Sequence, residues 1–142
     1  MLAPKTDDLF MPLLACPAAI GLARTLAGQR LSKWDYSHLL DDAMLIVTEL
    51  LANAAEATPL RDIRFQLSRD AEGIVIAVWD SSRRLPIPKP IVELTLETLD
   101  VTEESYDSNG GWGLPLVQAL STACGYTRDP RGGKWVWARM HP

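Results

Sequence analysis

The sequence predicts an α+β fold: a two-layer sandwich with helices on one face of a mostly antiparallel sheet. Three observations predict it. Two stretches within the first 57 residues repeat their apolar positions at helical spacing, two strand-like runs follow with only four residues between them, and the chain ends in a short helix and two more strand-like runs. The length of 142 residues and the 47% hydrophobic content suit one domain spanning 1–142. A chain of that size buries roughly 68–70% of its unfolded surface, so no disulfide or metal staple is required.

The elements follow in order. Residues 8–15 form an edge strand, since Pro12 cannot donate to a central ladder. Residues 17–33 carry Ile20, Ala23, Leu26, Ala27 and Leu31 at helical spacing, with Gly21 and Gly28 as mild blemishes. In residues 37–57 the same period recurs through Leu39, Leu40, Ala43, Met44, Ile46, Val47, Leu50, Leu51 and Ala54, until Pro59 stops the helix. Ile63, Phe65 and Leu67 then alternate with polar neighbours over 62–68, and residues 73–80 crowd Ile74, Val75, Ile76, Val78 and Trp79, so the two runs read as a hairpin. Residues 81–109, with prolines at 86, 88 and 90 and an acidic second half, read as a long loop, with 92–99 as a short helix or irregular segment within it. A helix is expected over 114–123, with Pro115 tolerated in its first turn. Strands at 125–128 and 134–140 close the chain, with Trp135 and Trp137 on one face and Val136 and Ala138 on the other.

Composition excludes several functions. A formal charge of −4 with scattered Lys and Arg leaves no electrostatic footprint for nucleic acid. The first 19 residues contain Lys5, Asp7, Asp8 and three prolines, which breaks any signal-peptide or membrane-spanning core, so no membrane is expected and a cytoplasmic location is the default. Cys16 and Cys124 lack metal-ligand spacing and read as inert thiols. His38 reads as solvated and His141 as part of a frayed terminus.

The chemistry concentrates in the second helix. Asp42, Glu49, Asn53 and Glu56 share one flank of it. Glu49 and Asn53 lie about one turn apart, roughly 6 Å along the axis, so both can address one ligand. A magnesium ion fits there, since it takes oxygen ligands, keeps most of its water and needs only one or two protein groups beside substrate phosphates. Asn53 offers the metal an oxygen, and Glu49 can act as general base. The bland alternative is the wet side of an amphipathic helix.

Two further motifs follow in order: the strand end Val78-Trp79-Asp80-Ser81-Ser82, and the cluster Gly110-Gly111-Trp112-Gly113-Leu114 opening a helix. Together with Glu49 and Asn53 they resemble the ATP-binding domain shared by gyrase, MutL and histidine kinases (the Bergerat fold). Within it they look most like the small RsbW-like anti-sigma-factor serine/threonine kinases of actinobacterial type, which the ending Gly132-Gly133-Lys134-Trp135-Val136-Trp137 also resembles. The resemblance covers about 34–140. It implies ATP and Mg2+ as cofactors, Asn53 as the magnesium ligand and Glu49 as the catalytic base. Asp80 would accept a hydrogen bond from the adenine amino group, with Ser82 beside it, and Gly110, Gly111, Gly113 and Leu114 would form the phosphate cradle. Glycines allow close backbone approach to phosphate, and a helix N-terminus presents free N–H groups. Without the resemblance, Asp80 reads first as the start of a turn with Ser81 and Ser82, and Lys134 either reaches a phosphate or faces water.

The chain departs from the family pattern in three places. Ser82 stands where many of these ATPases have glycine, Trp112 where arginine is more usual, and Glu56 follows Asn53 where a basic residue or histidine is usual. A solvated negative charge near triphosphate would cost on the order of 1 kcal/mol. The resemblance implies a kinase that phosphorylates an antagonist protein, with a sigma factor or an anti-anti-sigma protein as partner and a homodimer formed through 8–15 and the first helix. The alternatives are a nucleotide-responsive module that sequesters a sigma factor or other regulator without turnover, and a degenerate domain that has lost nucleotide.

Overall fold

The computed structural model describes residues 7–83 and 115–142. Strand β1 (Leu9–Leu14) leads into α1 (Pro17–Lys33), a 3-10 turn (Ser37–Leu39) and α2 (Leu40–Ala57). The hairpin of β2 (Asp62–Asp70) and β3 (Gly73–Asp80) follows, and α3 (Pro115–Leu120), β4 (Ala123–Arg128) and β5 (Lys134–Met140) complete the described chain. The five strands form one sheet in the order β1-β2-β3-β5-β4, every neighbouring pair antiparallel, with the helices on one face. This is the α+β sandwich that periodicity predicts.

Alternation sorts the sheet into two faces. Phe65 and Leu67 of β2 stand opposite Val78 and Ile76 of β3, Ile63 opposite Leu13 of β1, and Val136, Ala138 and Met140 of β5 continue the same buried face. These residues make the core with Ala43, Ile46, Val47, Leu50, Leu51 and Ala54 of α2, a stripe at the spacing of one helix face. Helix α2 is central, touching β2, β3, β5, α1 and α3. Helix α1 meets it through small side chains, Ala23 and Ala27, with Leu31 beyond them, so the two backbones approach closely.

The ends of the elements have local causes. Pro17 opens α1, where its missing N–H costs nothing, while Arg30 and Lys33 sit in the last turn and complement the helix dipole. Asp41 and Asp42 do the same at the start of α2, and Thr58 closes that helix with its Oγ1 donating to the Ala54 carbonyl at 3.1 Å. Residues 37–39 form a 3-10 turn before α2 begins, so the regular helix starts three residues later than its periodicity suggests.

Helix α3 is shorter than predicted and ends at Leu120. Ser121 donates its hydroxyl back to Val117 O at 2.6 Å, and Thr122 gives both its N–H and its hydroxyl to Arg139 O. Pairing with β5 thus captures residues 123–124, which helical periodicity assigned to α3 or to the link after it. His141 is tethered and not frayed, its Nδ1 lying 2.6 Å from the Glu72 carbonyl oxygen. His38 is exposed as expected. Both cysteines are free, and burial pushes the Cys124 thiol up from its ordinary value. Most of the predicted loop at 81–109 lies outside the described residues.

Phe65 is fully buried and packs from the middle of β2 into the shared core. Phe65→Ala is expected to cost about 3–5 kcal/mol in equilibrium urea unfolding. A loss below 1 kcal/mol would contradict this placement of the core.

Candidate functional site

Chain reversal puts the C-terminal end of α2 at one end of the sheet. Residues 58–61 turn the chain from α2 into β2, with Leu60 held at φ 57°. The first residues of β2 pair with the last of β3, as in Arg64↔Trp79. Asn53, in the last turns of α2, therefore lies toward the end of the sheet that carries Asp80, and Glu49 one turn farther back. Both side chains are half-buried, whereas Asp42 and Glu56 are exposed, so the polar flank divides into a sheltered pair and a solvated pair. Asn53 makes no side-chain hydrogen bond among the described residues.

Asp80 is the last residue of β3 and points to the helix side, on the same face as Val78 and Ile76. It is 1% exposed. Its Oδ1 accepts two hydrogen bonds, one from the Ser82 backbone N–H at 2.9 Å and one from Lys134 Nζ at 2.7 Å. The first is the turn geometry expected of an Asp-Ser-Ser sequence, and it sets Ser82 beside the carboxylate.

The second bond corrects the reading of Lys134. The lysine neither faces water nor stands as a free phosphate contact: it is 1% exposed and directly opposite Asp80 in the β3–β5 register. Alternation explains the burial, since Lys134 shares the face of Val136 and Ala138. That signal was present in the sequence. What it lacked was the pairing register, which supplies the carboxylate without which an ammonium would not be buried.

The β4–β5 turn fixes this corner. Gly133 has φ 77°, and a Cβ there would overlap the Asp80 carbonyl oxygen and come within 2.7 Å of the Trp79 ring, so only glycine fits. Trp79 Nε1 donates to Gly132 O at 3.0 Å, and the Arg64 guanidinium lies 4.3 Å from the Trp79 ring centroid on the outer face of the sheet. Asp129 braces the turn, accepting the Arg131 N–H at 2.9 Å and Trp135 Nε1 at 3.3 Å. The Arg131 N–H, followed by the Trp135 indole, holds the Asp129 carboxyl below its ordinary value.

Of the expected site residues, Glu49, Asn53, Asp80 and Ser82 are described, while Gly110, Gly111, Gly113, Leu114 and the neighbouring Trp112 lie outside the described residues. The described members are thus a half-buried carboxamide and carboxylate on α2 and a buried carboxylate–ammonium pair at the end of β3.

Comparison with known families agrees in type. A family model described as the histidine kinase-like ATPase domain matches residues 15–140. Among curated proteins no relative matches the sequence.

Two outcomes test this geometry. Lys134→Met strands a buried carboxylate and should cost about 3–5 kcal/mol, while adding Asp80→Asn should recover much of that loss in a double-mutant cycle. Additive losses would refute the pair. Asp129, with its carboxyl depressed in the folded state, contributes stability above the unfolded carboxyl pKa of about 3.9 that disappears as pH falls through the folded value. Thermal melts of Asp129→Asn should therefore lie below wild type at pH 7 and converge with it as pH falls through the folded value.

Proposed function

We propose, from the premise that this chain belongs to the histidine kinase-like ATPase domain family, that it binds ATP with magnesium and acts as an anti-sigma-type serine/threonine protein kinase on an antagonist protein. The observation that carries this reading is Asp80, a buried carboxylate at the end of β3 in the matched region, at the end of the sheet toward which Asn53 lies.

The donor set fits the ligand. Asn53 offers a half-buried carboxamide oxygen that no described residue engages, as a magnesium ligand requires. Magnesium-bound ATP supplies an electrophilic γ-phosphorus and a leaving group, ADP. Asp80 accepts from the adenine amino group, with Ser82 fixing its orientation. Glu49 takes the proton of a serine or threonine hydroxyl as its oxygen bonds to the γ-phosphorus and the bond to the β,γ-bridging oxygen breaks. The glycines at 110, 111 and 113 and the adjoining Leu114 are assigned to the phosphates.

The proposed partners are a sigma factor and an anti-anti-sigma protein. Two copies are proposed to pair through β1 and α1, where Phe10, Leu14 and Leu22 expose apolar surface. No helix among the described residues is long and apolar enough to cross a membrane.

One observation favours a second reading. Lys134 neutralises Asp80 from within the fold, so the carboxylate can persist without nucleotide in a module that only sequesters its partner. Calorimetric titration with ATP and magnesium separates the readings, together with transfer of γ-labelled phosphate to the antagonist. The kinase reading expects saturable binding and a phosphorylated serine or threonine, both reduced at least tenfold in Asn53→Ala. Binding without transfer to any candidate antagonist would select the sequestering module.

A further inference from the structure

We propose that Lys134 reads the nucleobase, donating a hydrogen bond to N1 of a bound adenine while Asp80 Oδ2 accepts from the 6-amino group. This rests on the nucleotide-binding reading above and adds to it a residue and a basis for specificity.

The starting point is an incomplete hydrogen-bond inventory. An ammonium has three N–H donors and no acceptor. Among the described residues Lys134 uses one of them, on Asp80 Oδ1, although the side chain is 1% exposed. Asp80 is similarly one-sided: both of its bonds fall on Oδ1, and no described residue bonds Oδ2. Buried charged groups ordinarily satisfy their donors and acceptors, because each unmade bond carries a desolvation cost. The strand register holds the two residues opposite one another, which sets a spare acceptor beside a spare donor. Adenine carries the complement on adjacent atoms, a 6-amino donor and the N1 acceptor.

The fixed polarity of the ammonium makes this selective. In the same pose guanine would place O6 against Asp80 Oδ2 and its N1–H against Lys134, opposing acceptor to acceptor and donor to donor. A hydroxyl or a water could reorient to accept that proton, but an ammonium cannot. Sites built around fixed buried polar groups discriminate most strongly, since the wrong ligand leaves those groups unpaired.

The test compares ATP, 1-deaza-ATP, in which C–H replaces N1, and GTP, by calorimetric titration with magnesium. Wild type should bind ATP about 10- to 100-fold more tightly than 1-deaza-ATP, the range for a hydrogen bond from a charged donor. GTP should bind more weakly still. In Lys134→Met the ratio of ATP to 1-deaza-ATP should fall to about one. Lys134→Gln, whose amide can donate or accept, should narrow the preference for ATP over GTP, and it carries the comparison if the methionine variant fails a thermal-melt check of folding. Equal binding of ATP and 1-deaza-ATP by wild type would overturn the role of Lys134 and leave ATP binding standing. Binding of none of the three nucleotides would overturn both readings.

Discussion

The ion pair between Asp80 and Lys134 is the constraint around which this end of the molecule is built. Two opposite charges at 2.7 Å, each almost wholly removed from water, are tolerable only while both are present and correctly placed. That requirement reaches outward. The strands β3 and β5 must pair in one register, the β4–β5 turn must press against the Asp80 backbone, and glycine must occupy position 133 for the turn to come so close. A pair of this kind is weak support for stability by comparison with apolar packing, so its presence directs attention to recognition.

Around that corner the fold divides its labour. The apolar stripe of α2 and the inward face of the sheet supply the burial that holds the layers together. The flank of the same helix, half-buried at Glu49 and Asn53 and exposed at Asp42 and Glu56, stays polar without interrupting the core. The residues assigned to the site by the proposal stand on a helix and a strand end that pack against each other, the rigid support such a site would need. Exposure of Glu56 also softens the electrostatic objection to a phosphate ligand, since a solvated carboxylate is screened by water and salt.

The fold and the site differed in how legible they were. Strong periodicities read correctly: the 3.6-residue stripe of α2, the alternation in β2, and the inward Val136 and Ala138 of β5 all sit where those patterns place them. Boundaries governed by competition did not. Ala123 falls at the end of the predicted helix, but it pairs opposite Arg139 in the β4–β5 register and belongs to the strand. Of the site, Asp80 and its turn with Ser82 were visible as a motif, because an Asx turn is a local interaction. The partner of Asp80 was not, because it lies 54 residues away in sequence.

The sequence by itself determined the class of the fold, the order of its elements, and the placement of Glu49 and Asn53 together on one flank of α2. Those properties follow from side-chain spacing along one segment, where 3.6 and 2.0 residue periods dictate which groups share a face. Only the tertiary structure decided what Lys134 is for. A lone lysine in a strand is most economically left in water, and its burial becomes affordable only when β3 and β5 align and set a carboxylate opposite it. Register between distant strands is a property of the assembled sheet and of no single segment within it.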